Sequence, residues 1–152
     1  MALIEKYIAL LRGVNVGGKN KISMPALKIA FEEIGFLDVI TYINSGNIIF
    51  SSDIKNESEL IRICESAIVN TFKLNIPVTV ISAKDLSDTL KNAPDWWDTD
   101  NKEVYDNAIF WSASLKTFSK TRWSKIASSS VNNNVTIRNA NTAKKLLELA
   151  EK

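Results

Sequence analysis

An apolar run from Tyr7 to Leu11, short and bounded by polar residues, predicts a buried strand over residues 5–11. Apolar positions then recur at helical spacing from Met24, predicting a helix over 24–35 with Ser23 as N-cap, Pro25 in the first turn and Gly35 at its close. Residues 38–43 and 48–51 read as two strands joined by the turn Asn44-Ser45-Gly46-Asn47. Leu60, Ile61, Cys64, Ala67, Ile68 and Phe72 mark a helix over 57–72, followed by a strand over 78–81. A third helix, over 83–92, is capped by Ser82 and stops ahead of Pro94. Beyond it the pattern predicts an irregular acidic and aromatic loop at 95–100 and one strand at 107–113 through the apolar run Ala108 to Trp111. A short helix or turn over 118–127 and an extended stretch over 131–137 follow. Ala143, Leu146, Leu147 and Ala150 then line one face of a last helix over 140–151, capped by Asn139 or Asn141.

The order βαββαβ over residues 1–82 is that of the ferredoxin-like split βαβ unit, so the chain is expected to be α+β, with a four-stranded antiparallel sheet and two helices on one face. Residues 83–152 hold too few elements for an independent domain and are expected to form an abbreviated α/β half packed on the first. The topology has a consequence for function. Strands 1 and 2 run parallel, so the loop after the first lies at the same edge as the turn after the second.

That loop, Arg12-Gly13-Val14-Asn15-Val16-Gly17-Gly18-Lys19-Asn20-Lys21, joins a strand to a helix and carries three glycines and three cations. Glycines let backbone N–H groups approach a ligand, and cations supply charge opposite to a phosphate. Gly13 to Lys19 also fits G-x-x-x-x-G-K, but Asn20 stands where a P-loop needs Ser or Thr for magnesium, and the helix starts too late. A nucleotide hydrolase is therefore not expected. The plain alternative is that the glycines only turn the chain. Asn44, Ser45 and Asn47 would present amides and a hydroxyl beside the loop, or serve a hairpin turn alone.

Composition narrows the chemistry. The 152 residues contain no histidine and one cysteine, Cys64, which removes the commonest general base, makes a transition-metal site improbable and excludes a disulfide framework. No apolar run approaches a membrane span and the N-terminus lacks a signal-peptide pattern, so no membrane association and a cytoplasmic protein are expected. The net charge of +2 is uneven: +1 over residues 1–50, −5 over 51–110 and +6 over 111–152. Lys116, Lys120, Arg122 and Lys125 interleave with Phe118 and Trp123, a pattern suited to phosphate or nucleobase contact, or to aromatic core anchors with solvated cations around them.

Three segments together resemble a known family: Tyr7-Ile8-Ala9-Leu10-Leu11-Arg12-Gly13-Val14-Asn15-Val16-Gly17-Gly18, then Thr41-Tyr42-Ile43-Asn44-Ser45-Gly46-Asn47-Ile48-Ile49-Phe50, then Thr136-Ile137-Arg138-Asn139-Ala140-Asn141-Thr142. It is the uncharacterised bacterial family known as domain of unknown function 1697. The resemblance implies an α+β fold with a ferredoxin-like first half, and no activity, substrate or cofactor. Family members place a further α/β stretch between the strands like Asn107-Ala108-Ile109-Phe110 and Trp111-Ser112-Ala113, so a fused strand and an internal deletion are expected here.

The expectation for function is a cytosolic module that binds a small anionic or phosphate-bearing ligand. Its candidate residues are Arg12, Asn15, Gly17, Gly18, Lys19, Asn44, Ser45 and Asn47, with Arg122 and Arg138 contributing. The alternatives are a small-molecule transferase or hydrolase in the same pocket, and a structural or oligomeric interaction protein. Nucleic acid is the weaker partner, because no cationic stripe along one helix is evident. Self-association is expected if the deletion leaves a sheet edge uncovered. No cofactor follows from the sequence.

Overall fold

The computed structural model describes residues 3–93, 104–107, 111–114 and 138–152. Its elements are β1 (Glu5–Leu11), α1 (Met24–Glu33), β2 (Leu37–Tyr42), β3 (Asn47–Ser52), α2 (Glu57–Phe72), β4 (Val78–Ser82), α3 (Ala83–Lys91), β5 (Val104–Asn107), β6 (Trp111–Ser114) and α4 (Ala140–Ala150). Local chemistry sets the helix starts: Ser23 and Ser82 cap as predicted, Asn139 is the cap of the two asparagines offered for the last helix, and Asn56 is a cap the sequence pattern did not single out. Ser23, Asn56, Ser82 and Asn139 each accept a hydrogen bond from a first-turn N–H, at 3.3, 3.1, 3.1 and 2.9 Å. After α1 the chain turns through Gly35 at φ +99°, a conformation open to glycine at little cost.

The main sheet has the order β2-β3-β1-β4, and β1–β3, β1–β4 and β2–β3 are all antiparallel. This is a mixed α/β architecture with a four-stranded antiparallel sheet, in the strand order of the ferredoxin-like unit. Tyr7, Ala9, Leu11, Ile48 and Phe50 point to one face and pack with Leu27 and Phe31 of α1 and Leu60, Cys64 and Ile68 of α2. Phe36 stacks on Phe50 at 4.2 Å and Phe31 meets Phe50 edge-on, so an aromatic cluster fixes α1 against the sheet. Ile8 and Ile49 point to the opposite face, where Leu86 of α3 and Leu146 and Ala150 of α4 cover them. Both faces of β1 are buried, which is why its sequence runs apolar without alternation.

The expectation of a single strand over 107–113 is corrected. Val104–Asn107 and Trp111–Ser114 are separate strands that pair antiparallel, with Asn107 opposite Trp111. An apolar run reports burial and not direction, so it could not mark a reversal that carries no glycine or proline. The loop at 95–100, the segment at 118–127 with Lys116, Lys120, Arg122 and Lys125 around it, and the stretch at 131–137 lie outside the described residues. Among the described residues, no helix is long and apolar enough to cross a membrane.

Candidate functional site

β1 and β2 are both antiparallel to β3, so their C-terminal ends lie together, and the loop after β1 meets the β2–β3 turn as predicted. Leu11 N–H donates to Gly46 O at 2.8 Å, and Asn15 Nδ2 to Asn44 O at 2.8 Å. On the other side, Arg12 N–H donates to Pro77 O at 3.0 Å, tying the loop to the start of β4.

Within the loop, Val16 and Lys19 form an isolated antiparallel bridge, with Lys19 N–H donating to Val16 O at 3.0 Å. Gly17 and Gly18 lie between them at φ +58° and +74°, the double left-handed pair that a two-residue hairpin turn requires. Among the described residues nothing approaches where their Cβ atoms would be, so these two glycines serve conformation and not close packing. Asn15 and Asn20, also left-handed at φ +55° and +51°, close the base of the hairpin. Asn15 N–H donates to Asn20 O at 3.1 Å, and Asn20 Nδ2 donates to Gly13 O at 3.0 Å. The Asn15 amide also donates to Ile22 O at 3.0 Å and accepts from Ile22 N–H at 2.9 Å.

Asn47, fully buried, donates from Nδ2 to Tyr42 O at 2.9 Å and to Ser45 Oγ at 3.0 Å. Its Oδ1 accepts from Arg138 Nε at 2.6 Å. Arg138 Nη2 donates to Leu11 O at 2.8 Å, Gly46 O at 3.2 Å and Ser45 O at 3.3 Å. The guanidinium thus gathers the end of β1, the β2–β3 turn and Asn47 at the threshold of α4. Burial pushes Arg138 down to about 10, which still leaves it cationic near neutral pH.

An open groove of about 540 Å³ lies where the hairpin, the N-terminus of α1 and the β2–β3 turn meet. Asn15, Gly18, Lys21, Ile22, Ser23, Met24, Pro25 and Asn44 line it. The positive end of the α1 dipole and Lys21 favour an anion there. The donor supply is limited, because Ser23 Oγ caps Ala26 N–H and Pro25 has no N–H, which leaves Met24 N–H in the first turn. Of the residues predicted for the site, Asn15, Gly18 and Asn44 line this groove. Arg12, Gly17, Lys19, Ser45, Asn47 and Arg138 do not, and Arg122 lies outside the described residues. Lys21 and residues 22–25 also line the groove and were not among the predicted site residues. Lys21 sat within the glycine loop, and the Ser-x-Pro start of α1 was the signal that this helix end was near.

No group of His, Cys, Asp and Glu among the described residues is placed to hold a metal ion. The β-strand to helix distance also separates this loop from a P-loop, since α1 begins at Met24, well beyond Lys19.

A family model described as a protein of unknown function, DUF1697, matches residues 4–144. The structure is similar to that of the conserved bacterial protein SP0830 from Streptococcus pneumoniae, with a TM-score of 0.77 and 27% sequence identity over 97% of this chain and 99% of that one. No curated protein matches the chain.

Proposed function

The chain belongs to the DUF1697 family of proteins of unknown function, and we propose that it binds a small anionic, phosphate-bearing ligand in the groove beside the hairpin. One observation carries this reading: the groove brings Lys21, the α1 N-terminus and Asn44 to the same open space. The hydrogen bonds of Asn15 and Asn20 hold the hairpin in a fixed shape, so a ligand would meet a preorganised wall. Asn47 and Arg138 take a supporting role in this reading, because their hydrogen bonds run to each other and to the turn. Binding is better supported than catalysis. Among the described residues the lining carries no carboxylate, and its one hydroxyl, on Ser23, is engaged as a helix cap.

Thermal unfolding with inorganic phosphate and with nucleoside monophosphates tests this. A ligand present at ten times its Kd adds about 1.4 kcal/mol of stability. In a chain of this size that raises Tm by roughly 3–6 °C. Lys21→Ala should abolish the rise while leaving the unliganded Tm close to wild type, since exposed lysines contribute within about 0.5 kcal/mol. Lys19→Ala, on the outer arm of the hairpin, should keep most of it. Equal shifts in wild type and Lys21→Ala would remove the groove from consideration.

A further inference from the structure

A second concave surface lies at the β4 edge of the sheet, on the face that α1 and α2 cover. β4 is the end strand of the main sheet among the described residues. Between it and α2 runs a cleft of about 560 Å³ with Ile61, Val69, Ile76, Pro77 and Val78 as apolar walls and Glu65, Asn75 and Thr79 as its polar residues. The register sets which backbone groups face this cleft. Arg12 N–H reaches Pro77 O, and β1–β4 pairing continues through Leu10↔Thr79 and Ile8↔Ile81. Residues 77, 79 and 81 therefore turn their backbone groups toward β1, while Val78 and Val80 turn theirs outward.

Glu65 bears this out. Its Oε1 accepts from Val78 N–H at 3.3 Å, reaching from α2 to the place where a neighbouring strand's carbonyl would sit. That is a long bond and an exchangeable one. The outward amide of Val80 has no partner among the described residues. A helix lying beside an edge strand, with an apolar trough between them, is the geometry by which folded domains accept an added strand.

We propose that the α2–β4 cleft binds an extended peptide added to β4 as a fifth strand, whose α2-facing positions, every second residue, carry apolar side chains beside one Lys or Arg. A peptide carbonyl replaces Glu65 at Val78 N–H. The freed carboxylate then pairs with that basic side chain, and the apolar side chains on the same face of the peptide enter the trough of Ile61, Val69 and Ile76. Charge selects the partner. A second copy of this chain joined edge to edge would bring its own Glu65 toward the shared ladder, and like charges facing across a ladder are unfavourable. A basic strand turns the same carboxylate into an attraction.

The test uses the fluorescein-labelled octapeptide Thr-Val-Thr-Lys-Thr-Val-Thr-Val, which puts Val and Lys on one face, or the same peptide with Glu in place of Lys, titrated against the full chain by fluorescence polarisation and followed by amide NMR. The Lys peptide should bind about tenfold tighter or more and shift the amides of residues 76–80 and 61–69. Glu65→Lys should reverse the preference. Should that variant fail to fold, Glu65→Gln should keep binding while levelling the two affinities. Equal affinity of wild type for both peptides would overturn the proposal, as would undisturbed amides at Val78 and Val80 or an unchanged preference in the Glu65 variants. A dimer by light scattering with its β4 amides protected would assign the edge to a second copy and overturn it too.

Discussion

Gly46 is constrained twice. It sits at φ +86°, and a Cβ there would meet Leu11 Cβ at 2.7 Å and Val14 Cγ2 at 2.9 Å. Both neighbours are buried and neither contact is the far end of a flexible chain, so something in the β1 end or the turn must move. Gly46→Ala should therefore lower stability by about 1–3 kcal/mol, read as a fall in the urea midpoint at unchanged slope. A loss below about 0.5 kcal/mol would mean the turn yields freely. Gly17→Ala and Gly18→Ala meet no atoms of the described residues and carry the conformational cost alone. The sequence made Gly46 readable as a turn residue, because Asn-Ser-Gly-Asn between two apolar runs is a hairpin signal. The packing of its Cα against Leu11 was not readable, since that contact depends on how β1 and the turn meet in space. Side-chain amides show the same limit. Asn15 and Asn47 stood out as ligand contacts, yet their polar atoms engage Ile22, Asn44, Tyr42, Ser45 and Arg138. A residue type reports what a group can bond, and only the fold decides with what.

At the scale of elements, α4 is attached by one side chain as well as by its apolar face. Leu146 and Ala150 pack over Ile8 and Ile49, while Arg138 ties the helix start to Leu11, Gly46 and Asn47. Removing either member of the Arg138–Asn47 pair leaves the other with a polar group unmatched, which costs about 1–3 kcal/mol. Arg138→Met and Asn47→Ala should thus each destabilise the protein, and the double variant should lose less than the sum, with a coupling of about 0.5–3 kcal/mol. In Arg138→Met, hydrogen exchange should quicken in residues 140–150 more than in α2. Strict additivity would show that the two side chains act independently. The helices themselves were well marked in the sequence, because period and caps coincide: Ser23, Ser82 and Asn139 stand where the pattern begins, and only the Asn56 cap of α2 went unremarked. The β5–β6 pair was not, as its apolar run has no residue that signals a reversal. β2 was shifted by one residue, and its pairing is irregular between Leu37 and Ile40, with Asp38 at φ +51°. Such an irregularity is a property of the pairing and leaves no period in the sequence.

For the whole molecule, the sheet has two cores, and its stability depends on keeping both free of charge. Cys64 lies in the first core, fully buried on the sheet-facing side of α2, and burial, then the charge of Glu65, pushes its thiol from 9.0 up to about 12. Tyr7, on the same face, is raised by burial and then by Glu5. Each group is easier to ionise in the unfolded chain than in the fold, so the unfolded state loses protons first as pH rises. Folding stability from Cys64 is therefore complete below about pH 9 and declines between about 9 and 12, by up to about 1.4 kcal/mol per pH unit. Urea unfolding at a series of alkaline pH values should show this decline in wild type and a shallower one in Cys64→Ala, where Tyr7 supplies the remainder. Cys64→Ala should also be less stable at neutral pH, because it leaves a small cavity in the α2 packing. The two effects separate cleanly: the cavity lowers the whole curve, and the lost thiol changes its slope. An unchanged alkaline slope in Cys64→Ala would show that the thiol titrates alike in the folded and unfolded chain, and rapid modification of native Cys64 by a thiol reagent near pH 8 would show that α2 opens readily from the sheet.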